Sequence, residues 1–212
     1  MSPQPSNRNA LLEGTLRCLA QMPVDQISAR VVADESGANL ASIGYHFGSK
    51  DALVTAAVVE GLDRWLARIG ERLAEVLPIS APEARFELAA DVVEATREEH
   101  EGVARAFVVA LGRGHHDPVV AQYLTEGFKH TRPRVADLLG LGSDDTGIDA
   151  GAVMHALFTG LLVQALLSQE LVLDGARIIA ALRRIAAALD GAHDVSSEAR
   201  SQTSGAVSSS SR

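Results

Sequence analysis

Gly37-Ala38-Asn39 joins two short helical stretches, and no other feature constrains the fold of this chain as tightly. Glycine tolerates the left-handed conformation that ends a helix, and so short a turn makes the next helix cross the first steeply. Ser28 is the predicted N-cap of the first stretch, its hydroxyl accepting from a first-turn amide. That helix runs through Val31, Val32 and Ala33 to Ser36. Asn39 is the predicted cap of a helix over Leu40 to Phe47, and Ser49 of a longer one from Lys50 to about Leu77. Upstream, Leu11, Leu12, Leu16, Leu19 and Ala20 fall on one face of a helix over Arg8 to Gln21, which Pro23 ends.

The rest of the chain carries the same helical signature. Apolar residues make up 47% of it and aromatics only 4%, with strong helix formers in place of β-branched runs. Further helices are expected over Pro82 to Glu99, Glu101 to Gly112, Pro118 to Leu139 with a kink at Pro133, Ile148 to Gln169 and Asp174 to Leu189. Gly140 to Gly147 reads as a loop. Ser, Thr and Gly dominate from Gly191 onward, which predicts a disordered tail. The expected architecture is all-α, with about nine helices.

Several classes of function are disfavoured. Net charge is −8, and up to Ala52 four basic residues face five acidic ones, so nucleic-acid binding cannot rest on bulk charge. The single cysteine, Cys18, reads as a small core residue. His115-His116-Asp117 is the one metal-like cluster and reads as helix-end capping, while Glu98-Glu99-His100-Glu101 reads as a solvated helix end; no metal and no cofactor are expected. There is no Gly-rich phosphate loop, nucleophile elbow or metal motif, so no enzyme is expected. The polar N-terminus lacks a signal-peptide stretch. Ile148 to Leu167 is nearly long enough to span a membrane, yet His155 and Gln164 interrupt it. It reads as a helix buried on all sides within protein, and a cytoplasmic location follows.

The third helix has a small polar solvent face of Asn39, Ala41 and Ser42, a surface that admits a base edge, while Ile43 and Phe47 anchor the opposite face. Tyr45 and His46 can each donate to a phosphate. Lys50 opposes the dipole at the start of its helix, so a phosphate partner would explain it.

These residues resemble the TetR (tetracycline-repressor) family. The matching stretches are Leu11-Leu12-Glu13-Gly14-Thr15, Ser28, Val32 to Ala38, and Ser42-Ile43-Gly44-Tyr45-His46-Phe47-Gly48-Ser49-Lys50-Asp51-Ala52-Leu53. The resemblance implies a helix-turn-helix DNA-binding domain over 5–65, with the motif at about 28–47, and a helical ligand-binding and dimerisation domain over 66–191, leaving the Ser-rich tail at 192–212. It implies phosphate contacts at Ser28, Tyr45, His46 and Lys50, and base-facing positions at Asn39, Leu40, Ala41 and Ser42. Two positions depart from the family. Gly44 replaces a frequent tyrosine, and Leu40 replaces a frequent cation, offering an apolar contact to a thymine methyl instead.

The implied regulator is a homodimeric repressor, released from an inverted-repeat operator by an unidentified small molecule. The last two helices carry more apolar surface than one small domain can cover, which predicts a four-helix interface with a second copy through Gly151, Ala156, Gly160, Ile178, Leu182, Ile185 and Leu189. A purely intramolecular bundle is the alternative. Trp65, Phe86, Phe107, Phe128, His155, Phe158 and Gln164 are the candidate ligand residues, against the plainer reading of each as core. A partner-binding adaptor that keeps the fold but not DNA binding is the remaining alternative.

Overall fold

The computed structural model describes residues 7–76 and 81–190, and these contain helices and no strands. Leu77, Pro78 and the Ser-rich tail lie outside the described residues. The helices are α1 (Asn7–Gln21), α2 (Ala29–Ser36), α3 (Ala41–Phe47), α4 (Lys50–Val76), α5 (Pro82–Thr96), α6 (Glu101–Gly114), α7 (Pro118–Leu139), α8 (Asp145–Ala165) and α9 (175–190). Single 3-10 turns occupy Val24–Gln26 and Gln169–Leu171.

Cap chemistry sets most boundaries. Ser28 Oγ accepts from the Val31 amide, and Gly37 closes α2 with φ +67°. The Ala52 amide donates to Ser49 Oγ at 3.0 Å, which starts α4. Asp117, from the cluster with metal-like composition, caps α7 by accepting from the Val119 and Val120 amides. Helix α7 runs through Pro133 without a break. Some boundaries differ from expectation: α5 ends at Thr96 rather than Glu99, and α8 at Ala165 rather than Gln169. Helix α8 starts at Asp145, inside the expected loop, because Asp144 accepts from the Gly147 amide at 2.9 Å and caps it.

Helix α4 spans 27 residues, roughly 40 Å at 1.5 Å per residue, and serves two cores. Its first half, with Leu53 and Val58, joins Leu11 and Leu19 of α1, Val32 of α2, and Ile43 and Phe47 of α3. That core does not stop at the head: Phe107 of α6 and Val120 and Leu124 of α7 belong to it. Further along α4, Trp65, Ile69 and Leu73 build a second core with Phe86 of α5, Leu139 of α7 and Ile178 of α9. Ion pairs tie the layers together: Arg64 bridges Glu13 and Glu60, Arg134 reaches Asp63 at 2.7 Å, and Arg183 of α9 pairs with Glu83 of α5. Cys18 is buried in the head core.

Helix α8 is not enclosed on all sides as the sequence had implied. By length and composition it could cross a membrane, but it carries Asp149, His155 and Gln164, and one face docks on α7. Only Gly147, Gly151 and Ala165 are buried along it, and Val153 is 67% exposed. The reason is that its neighbours, chiefly α7 with α5 and α6, back one face of the helix. The approach is tight there, since a Cβ on Gly151 would fall 2.6 Å from the Arg132 carbonyl oxygen.

A closer approach joins head to body. A Cβ on Gly102, at the start of α6, would lie 1.9 Å from the Leu19 carbonyl oxygen, so the end of α1 and the start of α6 meet backbone to backbone. Gly102→Ala must push these elements apart, and a loss of about 1–3 kcal/mol in denaturant unfolding is expected, as for overpacked sites. Unchanged stability would contradict this contact. A second outcome concerns acid. The hydrogen bond from Arg64 holds the Glu13 carboxyl below its ordinary 4.5, with the guanidinium charge adding to it. Because the folded value is the depressed one, the pair's contribution is complete above about pH 4.5 and is lost as pH falls through the folded value. In Arg64→Met, Glu13 should titrate at an ordinary carboxylate midpoint by NMR and that acid-side loss should shrink.

Candidate nucleic-acid interface

Helix α3 presents its outer face because its inner face is anchored. Ile43 and Phe47 are buried in the head core, and Arg8 lies over the Phe47 ring, 5.3 Å from its centroid. Asn39, Leu40 and Ala41 are exposed, and Ser42 is half-buried. Asn39 acts as the cap: its Oδ1 accepts from the Ala41 amide at 2.9 Å, leaving the side-chain NH2 as an unused donor. Leu40, which replaces a frequent cation, is half-exposed at 50% and offers bare apolar surface. Ser42 Oγ accepts from Asn7 at 3.4 Å.

Tyr45 is 86% exposed, its ring edge-on to His46 at 4.9 Å. A large aromatic this bare gains nothing from the fold. Ser28 is exposed beside the start of α2, its oxygen engaged as a cap and its hydroxyl proton still free to donate. Ser28, Asn39 to Ser42, Tyr45 and His46 thus all lie on or beside the helix-turn-helix.

Lys50 has a partner within the chain. Its ammonium lies 2.9 Å from the Asp51 carboxylate, which offsets its charge at the helix start. Asp51 is shared with Arg113 near the end of α6. Burial and the nearby Arg113 charge push the Lys50 ammonium below its ordinary value. The other cations of the head are also largely committed, with Arg17 bound to Glu35. Arg30, exposed on α2 two residues from Ser28, pairs with no other described residue. Its charge alone could have marked it in the sequence.

In the body, a cavity of about 130 Å³ lies where α4, α5, α6, α7 and α8 converge. Trp65, Phe107, Phe128, His155 and Phe158 line it. Phe86 does not; it stacks on Phe158 from behind at 5.2 Å. Gln164 is exposed and donates to the Gly160 carbonyl. Thr131 and Thr159 also line the cavity and went unnoticed in the sequence, because only the packing of α7 on α8 brings them there. Trp65 is fixed from behind: its indole stacks on His100 at 4.6 Å and its Nε1 donates to Thr96 at 2.7 Å. The sequence around His100 reads as a solvated helix end, and its stacking on an indole distant in sequence carries no local signal.

The residues expected at a dimer interface divide. Gly151 is buried against α7 and Ile178 is buried in the second core, so both pack within the protomer. Leu182 is half-buried against that core. Ala156 is exposed, a Cβ on Gly160 would meet nothing within 4 Å, and Ile185 and Leu189 are 56% and 62% exposed. Leu167, at 79%, joins this open apolar surface.

The family model for bacterial regulatory proteins of the tetR family matches residues 11–57, the stretch that runs from α1 into α4. Over this stretch the chain is similar to the N-terminal part of the tetR family of bacterial regulatory proteins. Solved structures share the fold of most of the chain. The protein SCO7518 from Streptomyces coelicolor A3(2) superposes with a TM-score of 0.63 at 23% identity, covering 85% of this chain and 98% of that one. The multidrug binding protein EbrR, in complex with imidazole, gives 0.62 at 20% identity, covering 85% and 95%. A TetR regulator from Rhodococcus sp. RHA1 gives 0.57 at 15%, covering 77% and 86%. No curated protein sequence matches the chain.

Tyr45→Ala separates contact from fold. The ring is so exposed that thermal unfolding should shift by no more than about 0.5 kcal/mol equivalent, so loss of DNA binding by this variant reports a contact. A marked loss of stability would show instead that the ring supports the head.

Proposed function

We propose that the chain is a homodimeric repressor that reads an inverted-repeat operator with α3 and is released by a small molecule bound in the body cavity. The observation that carries the DNA reading is the bare outer face of α3, with Tyr45 exposed at its end. In this reading Asn39, Leu40, Ala41 and Ser42 face base edges. The Asn39 amide is suited to an adenine edge and Leu40 to a thymine methyl. Ser28, Tyr45, His46 and Lys50 hold phosphates, and Arg30 joins them as an uncommitted cation.

The dimer reading is supported by the uncovered apolar surface of α8 and α9, where Val153, Ala156, Gly160, Ile185 and Leu189 leave room for close helix approach. Two heads related by a twofold axis would match half-sites one DNA turn apart, or a multiple of it. Such a protein works in the cytoplasm and needs no catalytic residue.

Release is supported by α6, which touches both sites. Phe107 lines the cavity and Arg113, on the same helix, holds Asp51 beside Lys50. A ligand that prefers one placement of α6 would alter the setting of the head. Operator DNA would then weaken ligand binding by the same factor.

Fluorescence anisotropy with DNA from the promoter beside the chain's own gene tests the reading. Sequence-dependent, salt-sensitive binding by a dimer is expected, and its absence at physiological salt would remove the repressor reading in favour of an adaptor. Lys50→Ala should weaken binding to all sequences alike, with a salt slope shallower by about one. Substituting Asn39 by Ala should change sequence preference instead. Leu189→Asp should yield monomers and lower operator affinity at a given protein concentration; a variant that stays dimeric would place the interface elsewhere.

A further inference from the structure

The cavity has a composition that selects among ligands, and the inference drawn from it rests on the ligand-responsive reading above. No Asp, Glu, Lys or Arg lines it. A charged ligand entering it would lose its hydration without meeting a counter-charge, a cost of several kcal/mol even after relaxation. The polar groups on the wall are few. The Trp65 indole N–H is already committed to Thr96. His155, Thr131 and Thr159 remain, and their side chains make no hydrogen bond with any other described residue.

His155 sits edge-on to Phe128, ring centroids 5.6 Å apart. Burial, together with the positive charge of Arg132, pushes the imidazole below its ordinary 6.5, so the ring is neutral near neutral pH. It offers one donor and one acceptor to a neutral ligand and no charge to an anion. Arg132 influences the ring but does not line the cavity.

Size narrows the class further. At about 130 Å³ the space is close to the roughly 150 Å³ of an apolar protein cavity that accepts benzene. Trp65, Phe107, Phe128 and Phe158 surround it with ring faces and edges, which suit an aromatic guest.

We propose that this cavity takes a small uncharged aromatic molecule of one ring, packed among Trp65, Phe107, Phe128 and Phe158 and oriented by a single hydrogen bond to His155. A phenol-like compound has this chemistry: an apolar ring and one hydroxyl that can donate to, or accept from, the imidazole.

The chain supplies its own reporter, since Trp65 is its only tryptophan and forms part of the wall. Its fluorescence is to be titrated with four probes of similar size: toluene, p-cresol, benzoate and benzylammonium. Saturable changes are expected with p-cresol and toluene, p-cresol binding more tightly, and at least tenfold weaker binding of both ions. In His155→Phe, p-cresol should lose about five- to tenfold in affinity, the worth of one hydrogen bond, while toluene is little changed. His155→Gln, which keeps a hydrogen-bonding group, should recover part of the loss and guards against a misfolded phenylalanine variant.

Equal or tighter binding of benzoate or benzylammonium would overturn the uncharged class and leave the ligand cavity standing. Equal loss of toluene and p-cresol in both variants would overturn the role of His155. No response to any of the four probes would overturn the assignment of the cavity as a site for one-ring ligands. Binding of p-cresol without release of operator DNA in the anisotropy assay would instead sustain the ligand class and overturn the inducer reading.

Discussion

The sharing of α4 between two cores is the constraint on which the rest of this molecule depends. Leu53 and Val58 belong to the head core, and Trp65 and Ile69 to the body core, so the candidate DNA-reading head has no foundation separate from the cavity-bearing body. The head core continues into α6 and α7 through Phe107, Val120 and Leu124. Close-packed interiors transmit displacement rather than absorb it. Head and body share packing through α4, α6 and α7, a route by which, on the proposed function, an event in the cavity would reach α3.

Helix α6 has the position in which that coupling is sharpest. It begins at Gly102, where its backbone abuts the end of α1, and near its end Arg113 grips Asp51 at the start of α4. Between these points Phe107 belongs at once to the head core and to the cavity wall. Both of its outer contacts are with the head, one steric and one electrostatic. A displacement of α6 by a guest in the cavity has to be answered at one of them. Trp65, elsewhere on the wall, is held by His100 and Thr96.

The fold was legible wherever the deciding chemistry is local. Ser28 and Gly37 bound α2, Ser49 opens α4 and Asp117 opens α7, each through groups a few residues apart. The early start of α8 was legible in principle, since Asp144 is an ordinary N-cap, but the neighbouring Gly and Ser residues weighed more heavily as loop signals. The candidate DNA face could be read because it is contiguous, from Asn39 to Lys50. The cavity could not. Phe86 and Phe158 look alike in sequence, and only the convergence of five helices sets one on the wall and the other behind it. Likewise Gly151 and Gly160 share a helix and a residue type, yet one is consumed by α7 and the other is left open.

The electrostatics of the head explain why an open apolar surface elsewhere should matter for DNA. Arg17 is bound by Glu35 and Lys50 by Asp51, so little positive charge is left to attract phosphate. Non-specific affinity arises chiefly from released counterions and scales with the number of phosphates neutralised. In the proposed reading a single head of this composition has few to neutralise and relies on directional donors: the Ser28 hydroxyl, the Tyr45 phenol and the Asn39 amide. Directional donors discriminate between sites, but they act only at contact and do little to draw the protein to DNA from a distance. Two linked heads change this balance, because the second binds at the effective concentration set by the first. On the proposed function, a weakly charged head and a wide apolar face on α8 and α9 are two sides of one design, in which discrimination rests on α3 and affinity on the pairing of two chains.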